Sequence, residues 1–441
     1  MRIVLLGKFP PIQGGVSTSV WEFCEAAAQE GHTVCVITNA SEVEAGVRCT
    51  LNSDDRLYLE GVNSRINLIL TTPVKKSDFI PYSNPYLSKL LGLGCEALSS
   101  GKFDLVVGWY LEPYCVVAAI LADMYSLPLY IRTAGSDIGK LSRHSDLSNL
   151  YRVILRRAHA VFSGAVGSGT YQRLLELGVK PDHIVNLRES GLPRAFSRTL
   201  TPLPLDWQEA IKAELTSAEK NDAGLWWEYL KLNDISFFNP ALLTIGIYGK
   251  VGRTKGLGNI LRALAKLFDS SKVEVNLICV PCGKPDDLTG FFESAKNYRN
   301  GNRNLLVLPP LAPWRVPEFL RRCDIACVLE HDFPIETHSP RLPREILAAG
   351  VLLLISHEVA IKQLFFGNLV HLKNCAIVKN PSDIDELLSV LGGLLADPVA
   401  IKDIARHGRF LSETIEHFLE PGNSMLNALV DLQVERMAED N

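Results

Sequence analysis

The chain has 441 residues, of which 47% are hydrophobic, and a formal net charge of −4. Its length exceeds what one core usually holds, because domains contain roughly 100–200 residues. Its hydrophobic content excludes wholesale disorder, and its slightly acidic charge argues against a broad nucleic-acid surface. We therefore expect a protein of two domains without a nucleic-acid partner.

Short apolar runs alternate with helical patterns through the first part of the chain. The predicted strands are residues 2–6, 33–38, 66–70, 104–108, 129–132 and 160–163, and the predicted helices are 17–29, 85–98, 112–125 and 170–177. Such repeated units imply a parallel, doubly wound sheet. Gly14 and Gly15 lie between the first strand and the first helix, where we expect them to let the backbone approach a ligand.

The rhythm breaks at residues 199–240, which are polar and mixed. Short helices are predicted at 208–218 and 226–231. Trp207, Trp226 and Trp227 indicate that the segment packs on something. We interpret it as a helical insertion or linker, and a small decoration is favoured over a specific binding role.

The alternation resumes at residue 241. The predicted strands are residues 242–247, 275–280, 305–308, 325–329, 351–355 and 375–378, with helices between them, one at 384–395 and more from 399 onwards. We expect an α/β protein with two Rossmann-like domains, residues 1–198 and 241–417, and a last helix, about 418–441, free to pack back on the first. Ligands bind outside the carboxyl ends of such strands, so the active site is expected in a central cleft between the domains.

A glycine-rich basic loop follows the first strand of the second half. It contains Gly249, Lys250, Arg253, Lys255 and Gly256 and leads directly into a helical pattern. Glycines allow close backbone approach, a helix N-terminus offers free N–H groups, and cations add charge-assisted contacts to phosphate. The loop therefore predicts a diphosphate site, with a solvated turn as the alternative.

The remaining chemical patterns argue against a metal or a membrane span. Cys279 and Cys282 have CxxC spacing but no second ligand pair, so they predict a strand end and a turn. Asp383 and Asp385 have D-x-D spacing at a helix start, where N-capping is expected. The sequence shows no signal peptide and no apolar run of roughly 20 residues, which favours a reducing, cytoplasmic location.

Five spaced motifs now suggest a family. They are Pro10–Gly15, Arg132–Asp137, Glu189–Pro193 with Phe196, Gly249–Gly256 and Glu345–Gly350. Together they resemble the GT-B retaining glycosyltransferases of the family 4 type (glycosyl transferases group 1). The resemblance covers nearly the whole chain apart from about residues 199–240.

The resemblance implies a glycosyltransferase of EC class 2.4 that uses a UDP-, GDP- or ADP-linked sugar, without a further cofactor or metal. It makes Lys250 and Lys255 the diphosphate clamp and Glu345 the ribose ligand, whereas without the resemblance a plain helix-start carboxylate is the favoured interpretation of Glu345. Further donor-binding candidates are Gly249, Arg253, Gly256, Glu336, Thr337, His338, Ser339, Pro340 and Arg341, and the acceptor-side candidates are Gly14, Gly15, Gly135 and Asp137.

Other implications of the resemblance concern the acceptor. It would be a glycan, a lipid-linked saccharide or a small molecule, as in polysaccharide biosynthesis, with peripheral contact at the inner membrane face left open. Asp137 would bind this acceptor or cap the helix that follows it.

The chain departs from the family pattern at two places. Ala134 stands where the family has a histidine, and the first glutamate of the family's E-x7-E pair falls on Thr337, between Glu336 and His338. These departures keep open a catalytically impaired GT-B-like protein that binds a nucleotide or a partner. A glycoside hydrolase would need two flanking carboxylates and leaves the basic loop unexplained. A GT-B epimerase or phosphorylase is a third alternative.

Overall fold

The computed structural model describes residues 1–61, 65–72, 85–163, 169–192, 196, 202–203, 232, 238–334, 339–419 and 422–439. The predicted helices at 208–218 and 226–231 lie outside the described residues, and so do Trp207, Trp226 and Trp227. The chain divides into two compact units. Unit 1 comprises Met1–Val43, Ser53–Gly191 and Leu419–Asn441, and unit 2 comprises Glu44–Asn52 and Leu192–Phe418.

The strands are β1 (Arg2–Leu6), β2 (Thr33–Thr38), β3 (Ile66–Leu70), β4 (Leu105–Trp109), β5 (Leu129–Arg132), β6 (Ala160–Ser163), β7 (Ile184–Asn186), β8 (Thr244–Lys250), β9 (Asn276–Cys282), β10 (Leu305–Val307), β11 (Ile325–Val328), β12 (Leu352–Ser356) and β13 (Ala376–Val378). The helices are α1 (Gly15–Gln29), α2 (Ser53–Gly61), α3 (Tyr86–Ser100), α4 (Val116–Met124), α5 (Gly135–Gly139), α6 (Ser145–Arg157), α7 (Gly169–Glu176), α8 (Leu257–Ser271), α9 (Pro285–Asn300), α10 (Val316–Leu320), α11 (Leu342–Ala349), α12 (His357–Ile361), α13 (Ile384–Leu395), α14 (Pro398–Glu416) and α15 (Ser424–Glu439).

Unit 1 contains a seven-stranded sheet in the order β3-β2-β1-β4-β5-β6-β7. Its strand pairs are all parallel. Ile3, Val4, Leu5 and Leu6 of β1 are fully buried, as expected for a central strand covered by helices on both faces. The order reverses between β1 and β4, and at such a switch point the two following loops leave a crevice for ligands.

Helix α15 belongs to unit 1 although it is the last helix of the chain. The Gln433 side-chain amide donates to the Tyr130 hydroxyl of β5 at 2.7 Å. At the start of α15, the Ser424 backbone N–H donates to the Ser190 hydroxyl at 3.1 Å. These contacts hold the last helix of the chain against β5 and the segment after β7 within one folded unit.

Unit 2 contains a six-stranded parallel sheet in the order β10-β9-β8-β11-β12-β13. Its switch point lies between β8 and β11. The short segment Glu44–Asn52 packs where β9 and β10 end, on the side of β8 away from β11. The Gly283 N–H donates to Gly46 O at 2.8 Å, and the Thr50 N–H donates to Pro310 O at 2.7 Å. Sequence periodicity does not reveal this packing, because the segment has no regular pattern.

The strand–helix alternation predicted from the sequence is confirmed, with differences at particular elements. The predicted helix at 112–125 is shorter as α4, because Glu112 has non-helical dihedral angles and precedes Pro113 in a wide turn. Helix α6 was not predicted, since its apolar face is narrow; Tyr151, Ile154 and Leu155 are its buried residues. None of the helices that the structure describes is long and apolar enough to cross a membrane.

Candidate functional site

The loops after β8 and β11 form the switch point of unit 2. Because β8 and β11 pair directly, both loops emerge at the same carboxyl edge of the sheet. The first loop carries the predicted cations and runs into α8, and the second leads to α11. Gly256 is the N-cap residue of α8 and no side chain caps the helix, so its first N–H groups and positive dipole end remain available to an anion.

The glycines of the first loop shape its path. Gly249, Gly252 and Gly256 have φ values of 118°, 138° and 73°, a region that residues with a side chain rarely adopt. A Cβ atom on Gly256 would lie 2.4 Å from the carbonyl oxygen of Leu329, directly after β11. Glycine at 256 is therefore required both by the backbone and by the close approach of the two loops.

Lys255 is half-buried between the two loops. Its Nζ lies 2.5 Å from Oε1 of Glu330 and 4.0 Å from the centre of the Phe333 ring. Burial and the nearby Lys250 lower the pKa of Lys255, and the Glu330 carboxylate opposes this shift. Lys255 thus lies in the loop that the sequence predicted to bind a diphosphate, and its ammonium group contacts the carboxylate of Glu330 in the same chain.

Lys250 and Arg253 differ from Lys255 in their exposure. Both side chains are exposed, Lys250 at the end of β8 and Arg253 in the short turn Arg253–Lys255. Lys250 is close enough to influence the pKa of Lys255. The loop therefore presents two solvent-facing cations, Lys250 and Arg253, and one cation that is paired. The sequence motifs assigned the diphosphate clamp to the two lysines, but in exposure Arg253 resembles Lys250 more than Lys255 does.

The second loop holds the other donor-side candidates. Glu345 lies half-buried in the first turn of α11, where a carboxylate is favoured by the helix dipole. Ser339 Oγ and Pro340 O accept hydrogen bonds from the Gln363 amide at 3.4 Å and 3.3 Å. Arg341 is half-buried just before α11. The predicted residues Glu336, Thr337 and His338 lie outside the described part of this loop.

Sequence reasoning missed three residues that hold this loop. Glu330 contacts Lys255, and its backbone oxygen accepts a hydrogen bond from Ser356 Oγ at 2.6 Å. The buried Gln363 holds the turn before α11. Glu330 could have been found, since a polar residue directly after a predicted buried strand lies at the ligand edge of the sheet.

The corresponding switch point of unit 1 lies between the loops after β1 and β4. Gly14 has φ 128° and precedes α1, which has no side-chain cap, and a Cβ on Gly14 or Gly15 would meet nothing within 4 Å. Across the crevice, Lys8 Nζ lies 3.9 Å from the centre of the Tyr110 ring. The glycines therefore leave open space beside a helix N-terminus.

Asp137 has a structural position in unit 1. It is fully buried, and its carboxylate accepts backbone hydrogen bonds from Ala134 and Ile138 at 2.8 Å each and from Leu111 at 3.1 Å. Burial outweighs these donors and raises the pKa of Asp137 to about 6. The sequence left open whether Asp137 binds the acceptor or caps the following helix, and these contacts match capping of α5. The other acceptor-side candidate in this segment, Gly135, is exposed.

Glu112 is the half-buried carboxylate next to this cluster. It accepts a hydrogen bond from the Tyr151 hydroxyl at 3.2 Å, and burial raises its pKa. Sequence reasoning did not select it as a site residue. Its place after β4, at the switch point of the sheet, is the signal that could have indicated it.

Cysteines and acidic pairs show no metal-binding arrangement within the described ranges, where no group of three or more His, Cys, Asp or Glu side chains is placed to hold an ion. Cys279 and Cys282 are buried free thiols within β9, and burial raises the pKa of Cys282 to about 12. Asp383 caps α13 by accepting the N–H groups of Asp385 and Glu386, which confirms the predicted N-cap.

Comparisons with known proteins support the fold. A scan against protein-family models finds no match, and a search of curated proteins finds no relative. Among solved structures, the chain is similar to HepE of Anabaena in complex with UDP-glucose, with a TM-score of 0.57 and 14% identity, over 99% of this chain and 100% of that one.

Two further solved structures match along most of both chains. Sucrose-phosphate synthase from Thermosynechococcus elongatus has a TM-score of 0.59 and 13% identity, with 100% of both chains covered. WaaG, a glycosyltransferase involved in lipopolysaccharide biosynthesis, has a TM-score of 0.55 and 14% identity, over 94% of this chain and 95% of that one. The chain therefore has the GT-B fold, as its motifs predicted.

Proposed function

We propose that the protein transfers a sugar from a nucleoside-diphosphate donor to an acceptor hydroxyl. The observation that carries the proposal is the switch point of unit 2. There Lys250, Arg253 and Lys255 lie in the loop that leads into α8, whose N-terminus has no side-chain cap. Breaking the bond between sugar and diphosphate leaves negative charge on the departing oxygens, and fixed cations with free N–H groups stabilise such charge.

Each candidate residue receives a role in this proposal. Lys250 and Lys255 would hold the diphosphate as point charges, because a lysine lacks the bidentate fork of arginine. Glu345 would accept hydrogen bonds from the ribose hydroxyls, and Gly14 and Gly15 would give the acceptor room on unit 1. Transfer would proceed with retention, and we assign no protein nucleophile.

The nature of the substrates is also a proposal. UDP-linked sugars are the first choice of donor, since the similar HepE structure contains UDP-glucose, and GDP- and ADP-linked sugars follow. The acceptor would be a glycan, a lipid-linked saccharide or a small molecule. We place the reaction in the cytoplasm, where a lipid-linked acceptor would bring the protein to the inner membrane face.

The test is a panel of nucleotide sugars with candidate acceptors, in which the released nucleoside diphosphate is measured. Turnover with one donor, reduced at least tenfold in Lys250→Met while the variant stays folded, supports the proposal. NMR of the product's anomeric proton then decides between retention and inversion.

A binding protein without turnover is the second candidate. Two observations favour it: Ala134 occupies the position of the family histidine, and Lys255 is already paired with Glu330. Saturable binding of a nucleoside diphosphate, without release from any donor in the panel, would support this candidate over the enzyme.

A further inference from the structure

The pair of Lys255 and Glu330 has a consequence for the release of product. Both side chains are largely shielded from water, with 16% of Lys255 and 12% of Glu330 exposed. At this depth a cation without a partner is costly, whereas a paired cation is tolerated. Glu330 therefore neutralises Lys255 as long as the site contains no other anion.

Two hydrogen bonds hold the backbone at Glu330 and His331 against the neighbouring elements. The Glu330 carbonyl oxygen accepts the Ser356 hydroxyl at 2.6 Å, and the N–H of His331 donates to Thr254 O at 3.0 Å. Thr254 is the direct neighbour of Lys255, so the two loops are joined at the pair itself. These bonds hold the Glu330 backbone beside Lys255, so its carboxylate stays within reach of the ammonium group.

We propose that Glu330 is a resident counter-anion that competes with the donor's diphosphate for Lys255 and thereby speeds release of the nucleoside diphosphate product. The inference rests on the proposed function of this site. A carboxylate and a phosphate that share one ammonium group repel each other across a few ångströms, and the repulsion is strong away from bulk water. After transfer, the ion pair between Glu330 and Lys255 forms again as the diphosphate departs.

Among the residues that the structure describes, the groups around Lys255 leave this competition to Glu330. Lys250 adds positive charge near Lys255, and burial keeps the Cys282 thiol neutral by raising its pKa to about 12. Glu358 is engaged elsewhere, because it accepts the Phe333 N–H at 3.2 Å and pairs with Lys362 at 2.8 Å. His331 contacts its own loop through the carbonyl oxygen of Leu329 at 3.3 Å.

The test replaces Glu330 by glutamine, which keeps the size and an oxygen acceptor but removes the charge. We expect Glu330→Gln to bind UDP and inorganic pyrophosphate about tenfold more tightly in calorimetry, because the buried cation loses its competitor. With the active donor, inhibition by UDP should strengthen by the same factor, and kcat should fall as product release slows.

Two controls separate this role from a structural one. Glu413→Gln removes the same charge from an exposed pair with Arg409 and should leave diphosphate affinity unchanged. In a Lys255→Met background, Glu330→Gln should tighten binding less than in the wild type, because the competition for the ammonium group is gone and only the direct repulsion between carboxylate and phosphate remains to be relieved. A purely structural role for Glu330 would instead weaken binding when it is replaced.

The outcomes distinguish the inference from the proposed function. Unchanged or weaker diphosphate binding by Glu330→Gln overturns the inference, while turnover by the wild-type protein still supports the transferase. Tighter binding without turnover from any donor supports the counter-anion and overturns the enzyme. Absence of binding to either protein overturns the donor site, and the inference with it.

Discussion

Replacement of Gly256 by alanine tests whether the loops after β8 and β11 are locked together. Its φ of 73° costs an alanine about 1 kcal/mol. In addition, the new Cβ would lie 2.4 Å from Leu329 O and 2.8 Å from Leu329 Cβ, so backbone must shift. Overpacking of this kind costs about 1–3 kcal/mol, which gives about 3 kcal/mol in all.

Scanning calorimetry of the full chain measures this loss. For a unit of this size, about 3 kcal/mol lowers the unfolding temperature by about 6–12 °C. Binding of UDP should weaken as well, because the shift moves Lys255 and the start of α8.

Gly350→Ala is the matched control for this substitution. Gly350 has a nearly equal φ of 69°, but the nearest atom to its Cβ would be the flexible side chain of Arg409 at 3.4 Å. It should therefore lose only the backbone part, about 1 kcal/mol or about 2–4 °C. Equal losses for the two variants would refute the reasoning, since the overlap with Leu329 would then have no energetic cost.

Three further predictions concern the cations, Asp137 and the thiols. Lys250→Met should weaken UDP binding about tenfold at low salt and less at high salt, since an exposed charge is screened; titration at two ionic strengths checks this. Asp137→Asn should destabilise the protein more at pH 5 than at pH 7.5, and denaturant titrations should show a difference of about 1.4 kcal/mol between the two losses. The reason is that folding raises the pKa of Asp137 from 3.8 to about 6. The wild-type carboxyl therefore contributes stability that is complete below pH 4 and lost as the pH rises through 6. A penalty that grows with pH would contradict that sign. Native protein should react slowly with a thiol reagent except at the half-buried Cys95, whereas the ten free cysteines should all react after unfolding; rapid reaction at Cys279 or Cys282 would disprove their burial in β9.

The sheets were predictable because their strands are continuous apolar runs. Strands such as β2 and β5 have the bounds that the sequence predicted, since buried parallel strands contain few polar residues. The three-residue strand β7 was missed, because so short a run has no detectable period. The unpredicted packing of Glu44–Asn52 in unit 2 depends on the backbone contacts of Gly46 and Thr50, which leave no periodic signal.

The candidate site was predictable as a position but not as a set of partners. Strand, glycine loop and helix identify where Lys250 and Lys255 lie, because that order of elements fixes the ligand edge of the sheet. The contact between Lys255 and Glu330 spans 75 positions in the sequence, and local patterns contain no information about such pairs. The burial of Asp137 likewise depends on its contact with Leu111, 26 positions away.

Release of nucleoside diphosphate from a panel of nucleotide sugars, with and without acceptors, tests the central claim most directly. The account predicts acceptor-dependent release from one donor, reduced at least tenfold in Lys250→Met, with unfolding temperatures unchanged. Saturable diphosphate binding with no release from any donor would contradict it and would identify the protein as a GT-B-like binding protein.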